Sequence, residues 1–207
     1  MRESDAERSY HHGDLRSALI EAADAILRDD GVEGFTLRAA ARRAGVSPGA
    51  PAHHFGNTAG LLTEVATLAY EDLHICFKEV KRGPTPAATL RSMAGAYINF
   101  ALGNPGLFQL MYRKDLVNRT DPRYAAASRA TLETFALIAA KVYGTDDLAV
   151  EGQSMGYAGI IAAWSTAHGI AHLALEEKLT FATQGEDGMR DFTDRVLPSV
   201  LRAQWPG

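Results

Sequence analysis

Apolar residues recur three and four positions apart along most of the chain, and no stretch shows the two-residue alternation of a half-buried strand. Leu15, Ala18, Leu19, Ala22, Ala23, Ile26 and Leu27 make the first stripe; Asp14 is its expected N-cap, Arg28 lies near its end and Gly31 just past it. Thr36 predicts the cap of a short helix over 37–44, whose inward residues Leu37, Ala40, Ala41 and Ala44 are mostly small, and Gly45 predicts its stop. Ser47 as N-cap and Pro48 at the first helical position predict a third, short helix ending by Phe55 or Gly56. Asn57 then caps a long fourth helix in which Leu61, Leu62, Val65, Ala66, Ala69, Leu73, Cys76, Phe77 and Val80 keep helical period up to Gly83-Pro84.

Further helical patterns cover about 87–102, 107–113, 123–143, 150–179 and 189–204, separated by Asn104-Pro105-Gly106, Asp121-Pro122, Gly144 and the glycine-containing 185–188. Helices on such short connections predict an all-α protein. Its expected parts are a three-helix N-terminal domain over 1–56 and a C-terminal helical bundle over 57–207, joined through the long fourth helix.

The 207 residues are 46% hydrophobic, enough for a sizeable core. The single cysteine, Cys76, excludes an internal disulfide and a cysteine-built zinc site, and its apolar helical surroundings suggest a packed thiol. No run approaches the roughly 18 apolar residues of a membrane span, and MRESDAERSYHHGDL lacks the apolar centre of a signal peptide. A cytoplasmic protein without membrane contact is expected. The formal net charge of -4 argues mildly against wholesale coating by nucleic acid. Its distribution changes that picture: residues 34–63 hold no Asp or Glu, yet contain Arg38, Arg42, Arg43, His53 and His54.

Two short helices joined by a tight glycine turn make a helix-turn-helix, whose second helix enters the DNA major groove, and residues 36–55 fit it. Ala41 is small enough for the crossing, Gly45 permits the turn, and Val46 can plug the small core. Carboxylates in this window would repel phosphates, which accounts for their absence.

The run TLRAAARRAGVS at 36–47, followed by His54-Phe55 and Leu61-Leu62, resembles the DNA-binding region of the TetR (tetracycline-repressor-like) family of transcriptional regulators. YINFALGNPGLFQLM at 97–111 and WSTAHG at 164–169 are similar to the C-terminal domain of a subgroup named for a Trp-His-Gly signature. The resemblance implies a homodimer that binds palindromic double-stranded operator DNA, mostly as a repressor. It also implies release when a small-molecule effector fills a pocket in the C-terminal bundle. A phosphate is then expected at the N-terminus of the helix after Thr36, with Ser47, Pro48, Gly49, Ala50 and His53 in or beside the groove. Arg38, Arg42, Arg43 and His54 are further contact candidates.

Two positions depart from the family pattern. Ala52 stands where a phosphate-contacting Tyr is common, and Thr58 where Lys is frequent. Pro51, as the fourth residue of a helix starting at Pro48, would remove the first intrahelical hydrogen bond, so a distorted reading helix of modest affinity is expected. His53 and His54 either both face the DNA, or one of them packs against the helix below and only the other is exposed. Arg8, His11 and His12, ahead of the first stripe, suit either a backbone-contacting arm or a disordered tail.

Downstream, Tyr97, Phe100, Phe108, Met111, Tyr112, Trp164 and His168 are the candidate ligand-binding residues, and an apolar or aromatic effector suits them better than a polar one. Gly152, Gly156, Gly159, Ala163 and Ala167 form a small-residue stripe that allows close helix approach, within the bundle or across a twofold axis. Gly156, Trp164, Ala167 and His168 are the candidate dimer-interface residues. His168, His172 and Glu176 fall at four-residue spacing, as metal ligands often do, but Gly169 stands where the zinc-peptidase pattern needs its glutamate base, so no metal or cofactor is expected. The chain lacks a phosphate-cradling glycine loop, a catalytic-serine elbow and a dinucleotide fingerprint, which argues against an enzyme. The alternative is a helical ligand- or metal-binding protein that keeps this scaffold but has lost operator recognition.

Overall fold

The computed structural model describes residues 5–144, 155–183 and 187–207, and these contain helices and no strand. In chain order they are α1 (Asp5–Asp30), α2 (Leu37–Arg43), α3 (Ala50–Phe55), α4 (Thr58–Glu79), α5 (Pro86–Gly103), α6 (Pro105–Tyr112), α7 (Pro122–Tyr143) and α8 (Met155–Leu175). A 3₁₀ turn, Thr180–Ala182, follows, then α9 (Gly188–Asp191), a π-helical turn at Phe192–Val196 and α10 (Leu197–Gln204). The all-α expectation holds. Gly152 of the small-residue stripe lies outside the described residues.

The helices cluster into two compact units, Met1–Tyr70 with Asn104–Ala127, and Glu71–Gly103 with Ser128–Gly207. Compactness therefore divides the chain differently from a cut after residue 56, because α6 folds with the N-terminal helices while α4 and α7 each contribute to both units.

In the first unit α1 packs against α2 and α6, burying Leu19, Ala22, Ala23, Ile26 and Leu27 as the stripe requires. The helix begins at Asp5, so Asp14 lies inside it instead of capping it, and Arg8, His11 and His12 belong to its first turns. No proline interrupts this stretch, and one glycine costs about 1 kcal/mol, which a long helix absorbs. Gly106 of α6 sits against the α1 backbone: a Cβ there would lie 1.9 Å from the Leu27 carbonyl oxygen. Glu64 on α4 accepts from Arg16 at 2.7 Å and Arg123 at 2.5 Å, fastening the starts of α4 and α7 to α1. Tyr70 and Tyr124 both donate to the Met111 carbonyl, at 3.2 and 3.0 Å.

In the second unit α5 packs against α8 and α10. Ala163, Ala167, Ala171 and Ala174 turn α8's small side inward and are buried. Gly159 admits the Tyr143 ring, 2.5 Å from where a Cβ would stand. Trp205, also buried, donates from Nε1 to Tyr143 Oη at 3.1 Å and accepts from Arg91 through its carbonyl. Pro198 explains the π turn ahead of α10, since its ring lacks a donor and crowds the preceding turn of an α-helix. Cys76 is only partly buried; desolvation, then Asp72 and Glu79, push its thiol pKa up and keep it protonated.

Two expectations for α8 need correction. It stops at Leu175 instead of 179, where Glu177 takes a left-handed φ of 53° and Lys178 N donates back to the Leu173 carbonyl at 2.8 Å. Its stretch Tyr157–Leu175, 19 residues, is long and apolar enough to cross a membrane, because it holds no Asp, Glu, Lys or Arg. Only a third of that stretch is buried within the chain.

Candidate nucleic-acid interface

Thr36 caps α2 as its sequence position predicts: the backbone is extended, and Oγ1 accepts from Ala39 N at 3.0 Å. Ala40 and Ala41 are buried at the crossing. Gly45 turns the chain with a φ of 69°, a conformation glycine adopts without steric cost, and Val46 N donates to the Ala41 carbonyl at 3.0 Å.

The third helix starts later than Ser47 and Pro48 predict. Ser47 to Ala50 is a turn, with Ala50 N donating to the Ser47 carbonyl at 3.0 Å, and α3 begins at Ala50 with Gly49 as N-cap. Pro51 is therefore the second helical residue, where no intrahelical donor is required. The first intrahelical bond runs from His53 N to the Gly49 carbonyl at 3.2 Å and is intact. The expected distortion of the reading helix is corrected accordingly: Pro51 is fully buried and anchors α3. Asn57 caps α4, its Oδ1 accepting from Gly60 N at 3.0 Å. Gly60 stands against the end of α3, where a Cβ would lie 1.9 Å from the Phe55 carbonyl oxygen.

Among the contact candidates, Thr36, Arg38, Arg42, Arg43, Ser47, Pro48, Gly49 and His53 are exposed, while Ala50 and His54 are half-buried. The histidine pair divides between the two classes, its rings edge to face at 5.3 Å. The arginines also divide. Arg43 is paired with Asp29 of α1 at 2.7 Å, whereas Arg38 and Arg42 have no ion-pair partner among the described residues. Arg16, which the sequence reading did not single out, stacks its guanidinium 5.4 Å from the Phe55 ring centroid and pairs with Glu64. It pins the C-terminal end of α3 to α1 and α4, and no local pattern marks it because its partners lie far along the chain.

The candidate ligand residues are split between the units. Phe108 and Met111 are buried in the first, beside the more exposed Tyr112. Tyr97, Phe100, Trp164 and His168 belong to the second. There Tyr97 Oη and His168 Nδ1 share a 2.7 Å hydrogen bond, and Tyr97 stacks on Phe77 at 6.5 Å between ring centroids. Of the interface candidates, Ala167 is buried within its own unit, while Trp164 and His168 are half-exposed and Gly156 lies in the first turn of α8. His172 stands 4.6 Å from His168, ring to ring, but among the described residues no group of three His, Cys, Asp or Glu side chains could hold a metal ion.

Desolvation foremost, and then the charge of His172, depress the His168 pKa below its ordinary 6.5. The unfolded chain therefore takes up this proton before the folded one does. The stability contributed by neutral His168 is complete above about pH 6.5 and is lost as pH falls through the folded-state value. An NMR titration is expected to place the His168 imidazole below 6.5, and His168→Gln to flatten the fall of stability between about pH 7 and 5.

Residues 19–65 match the family model described as bacterial regulatory proteins, tetR family, and residues 90–197 match tetracyclin repressor-like, C-terminal domain. An HTH-type transcriptional regulator of Mycobacterium tuberculosis is 28% identical over 88% of this chain and 78% of its own. A Rhodococcus sp. RHA1 protein of unknown function is 29% identical and superposes with a TM-score of 0.73, over 95% of this chain and 96% of that one. The TetR-family regulator PfmR of Thermus thermophilus, 20% identical, superposes at 0.62 over 91% and 97% of the two chains.

Proposed function

The chain belongs to the TetR family of bacterial transcriptional regulators, and from that premise we propose that it is a cytoplasmic homodimeric repressor released from operator DNA by a small-molecule effector. In this reading residues 1–56 bind DNA, 57–207 bind the effector and form the dimer, and no catalytic role is assigned. The observation that carries it is the surface of α2 and α3. This surface has no carboxylate, and it presents Arg38, Arg42 and His53 beside a tight turn that leaves Ser47, Pro48 and Gly49 exposed. With Ala52 and small residues on α3, phosphate contacts supply most of the affinity and direct base readout is sparse. A fluorescence-anisotropy titration with duplexes from upstream of the gene tests it. One duplex is expected to bind more tightly than its scrambled counterpart at moderate salt; equal, weak binding to all would overturn the reading.

What α8 leaves uncovered supports the dimer. Tyr157 and Ile161, one turn apart on α8, are 59% and 62% exposed, and a twofold partner bringing the same face would cover both in each copy. Trp164 and His168, both half-exposed, continue that face at helical spacing. Ile161→Arg is expected to weaken dimerisation by about 100-fold or more, since full burial of an isoleucine is worth about 1.5–3 kcal/mol in each copy. Sedimentation velocity across a concentration series reads this directly.

Effector release requires the ligand to prefer the geometry that DNA disfavours, and DNA must weaken ligand binding by the same factor. Helix α4, contributing to both compact units, is the natural lever. Tyr97, Phe100, Trp164 and His168 are the ligand candidates that share the second unit.

A further inference from the structure

A cavity of about 280 Å³ lies among the last turns of α4, the α4–α5 connection, α5 and α7. Its buried side is apolar: Phe77, Met93 and Ile138 are 5%, 2% and 6% exposed. The two hydroxyls in its wall are already spent, Thr89 donating to the Thr85 carbonyl at 3.2 Å and Thr134 to the Ala130 carbonyl at 2.8 Å. Its charged lining residues are Lys78 and Arg82, both cations and both exposed. Neither has an ion-pair partner among the described residues. Among the described residues no carboxylate lines the cavity, and 78–82, KEVKR, carries three cations to one acid. Such a site offers hydrocarbon contact inside and uncompensated positive charge at the rim.

We propose that this cavity binds an amphipathic monoanion, a small aliphatic or aryl carboxylate. Its hydrocarbon lies on Phe77, Met93 and Ile138, and its carboxylate lies at the rim beside Lys78 and Arg82. The proposal rests on the reading that the C-terminal part takes the effector and names the chemical class of that effector; it places the effector on Phe77, against which Tyr97 stacks, and not on Phe100, Trp164 or His168, which do not line the cavity. At roughly 30 Å³ per heavy atom, taking the liquid volume of water as the measure, the space holds about nine or ten such atoms, the size of octanoate. An ammonium of the same length would meet two like charges, and a neutral alcohol would leave both cations unused.

Calorimetric titration of the full-length protein with octanoate, octylammonium and octanol tests this without DNA. Octanoate is expected to bind about tenfold or more tighter than octylammonium. The double variant Lys78→Gln/Arg82→Gln is expected to weaken octanoate about fivefold, because two solvent-exposed ion pairs are lost. Leu137, on the rim and 54% exposed, supplies the converse: Leu137→Glu is expected to weaken octanoate and strengthen octylammonium. All three positions are exposed, so folding is not at stake. Equal binding of the three probes, or octanoate binding untouched by these substitutions, overturns the proposal. The DNA titration keeps the two readings apart. Charge-dependent octanoate binding by a protein that ignores every upstream duplex leaves the carboxylate site standing and sinks the regulator. Selective DNA binding with no octanoate uptake does the reverse.

Discussion

Gly106→Ala is expected to destabilise the protein by about 2–3 kcal/mol, seen as a lower urea midpoint with an unchanged slope. The added methyl would stand 1.9 Å from the Leu27 carbonyl oxygen and 2.8 Å from its carbon, both backbone atoms in α1. A flexible side chain could swing away from such a contact; a helix backbone cannot, so α6 as a whole must withdraw. Alanine's better helix propensity recovers about 1 kcal/mol at most. Withdrawal of α6 also disturbs the Met111 carbonyl that accepts from Tyr70 and Tyr124. A midpoint within error of wild type would show that α6 does not need this close approach.

Arg38→Ala/Arg42→Ala is expected to weaken operator binding by about 30-fold, near 2 kcal/mol, and to flatten the dependence of log K on log salt by about two units. These are the α2 arginines left without an ion-pair partner among the described residues. Arg43 is committed to Asp29, so Arg43→Ala is expected to change the slope by less than either. The loss should fall alike on specific and scrambled duplexes, because phosphate contacts carry no sequence information. An unchanged slope in the double variant would place the DNA-facing surface elsewhere.

The caps show what was legible in the sequence and what was not. Thr36, Gly45 and Asn57 are legible because each acts on its own neighbours: a hydroxyl or amide reaching three residues ahead, or a glycine at positive φ. Ser47-Pro48 misled for an equally local reason. Serine followed by proline suits the start of a helix and the start of a turn alike, and here the turn wins and moves α3 along to Ala50. The stop of α8 was invisible, since Glu177 takes the left-handed position usually held by glycine.

Long-range pairing was less legible still. Tyr97, Phe100, Phe108 and Met111 are close neighbours in sequence, yet Gly106 seats α6 on α1 and puts the latter two in a different unit. The salt bridge that removes Arg43, the ring under Arg16, and the cations at the cavity rim all depend on which helices meet. The small stripe of α8 was readable as a packing face, but only the fold shows that Gly159, Ala163 and Ala167 face inward and Tyr157, Ile161 and Leu173 outward.

The central claim, two acid-free reading wedges held at one repeat of the duplex, is tested most directly by hydroxyl-radical footprinting on the upstream DNA. Two protected patches on one face, about 10 base pairs apart and related by a twofold axis, are expected. A single patch, or protection that follows no sequence at all, would contradict it.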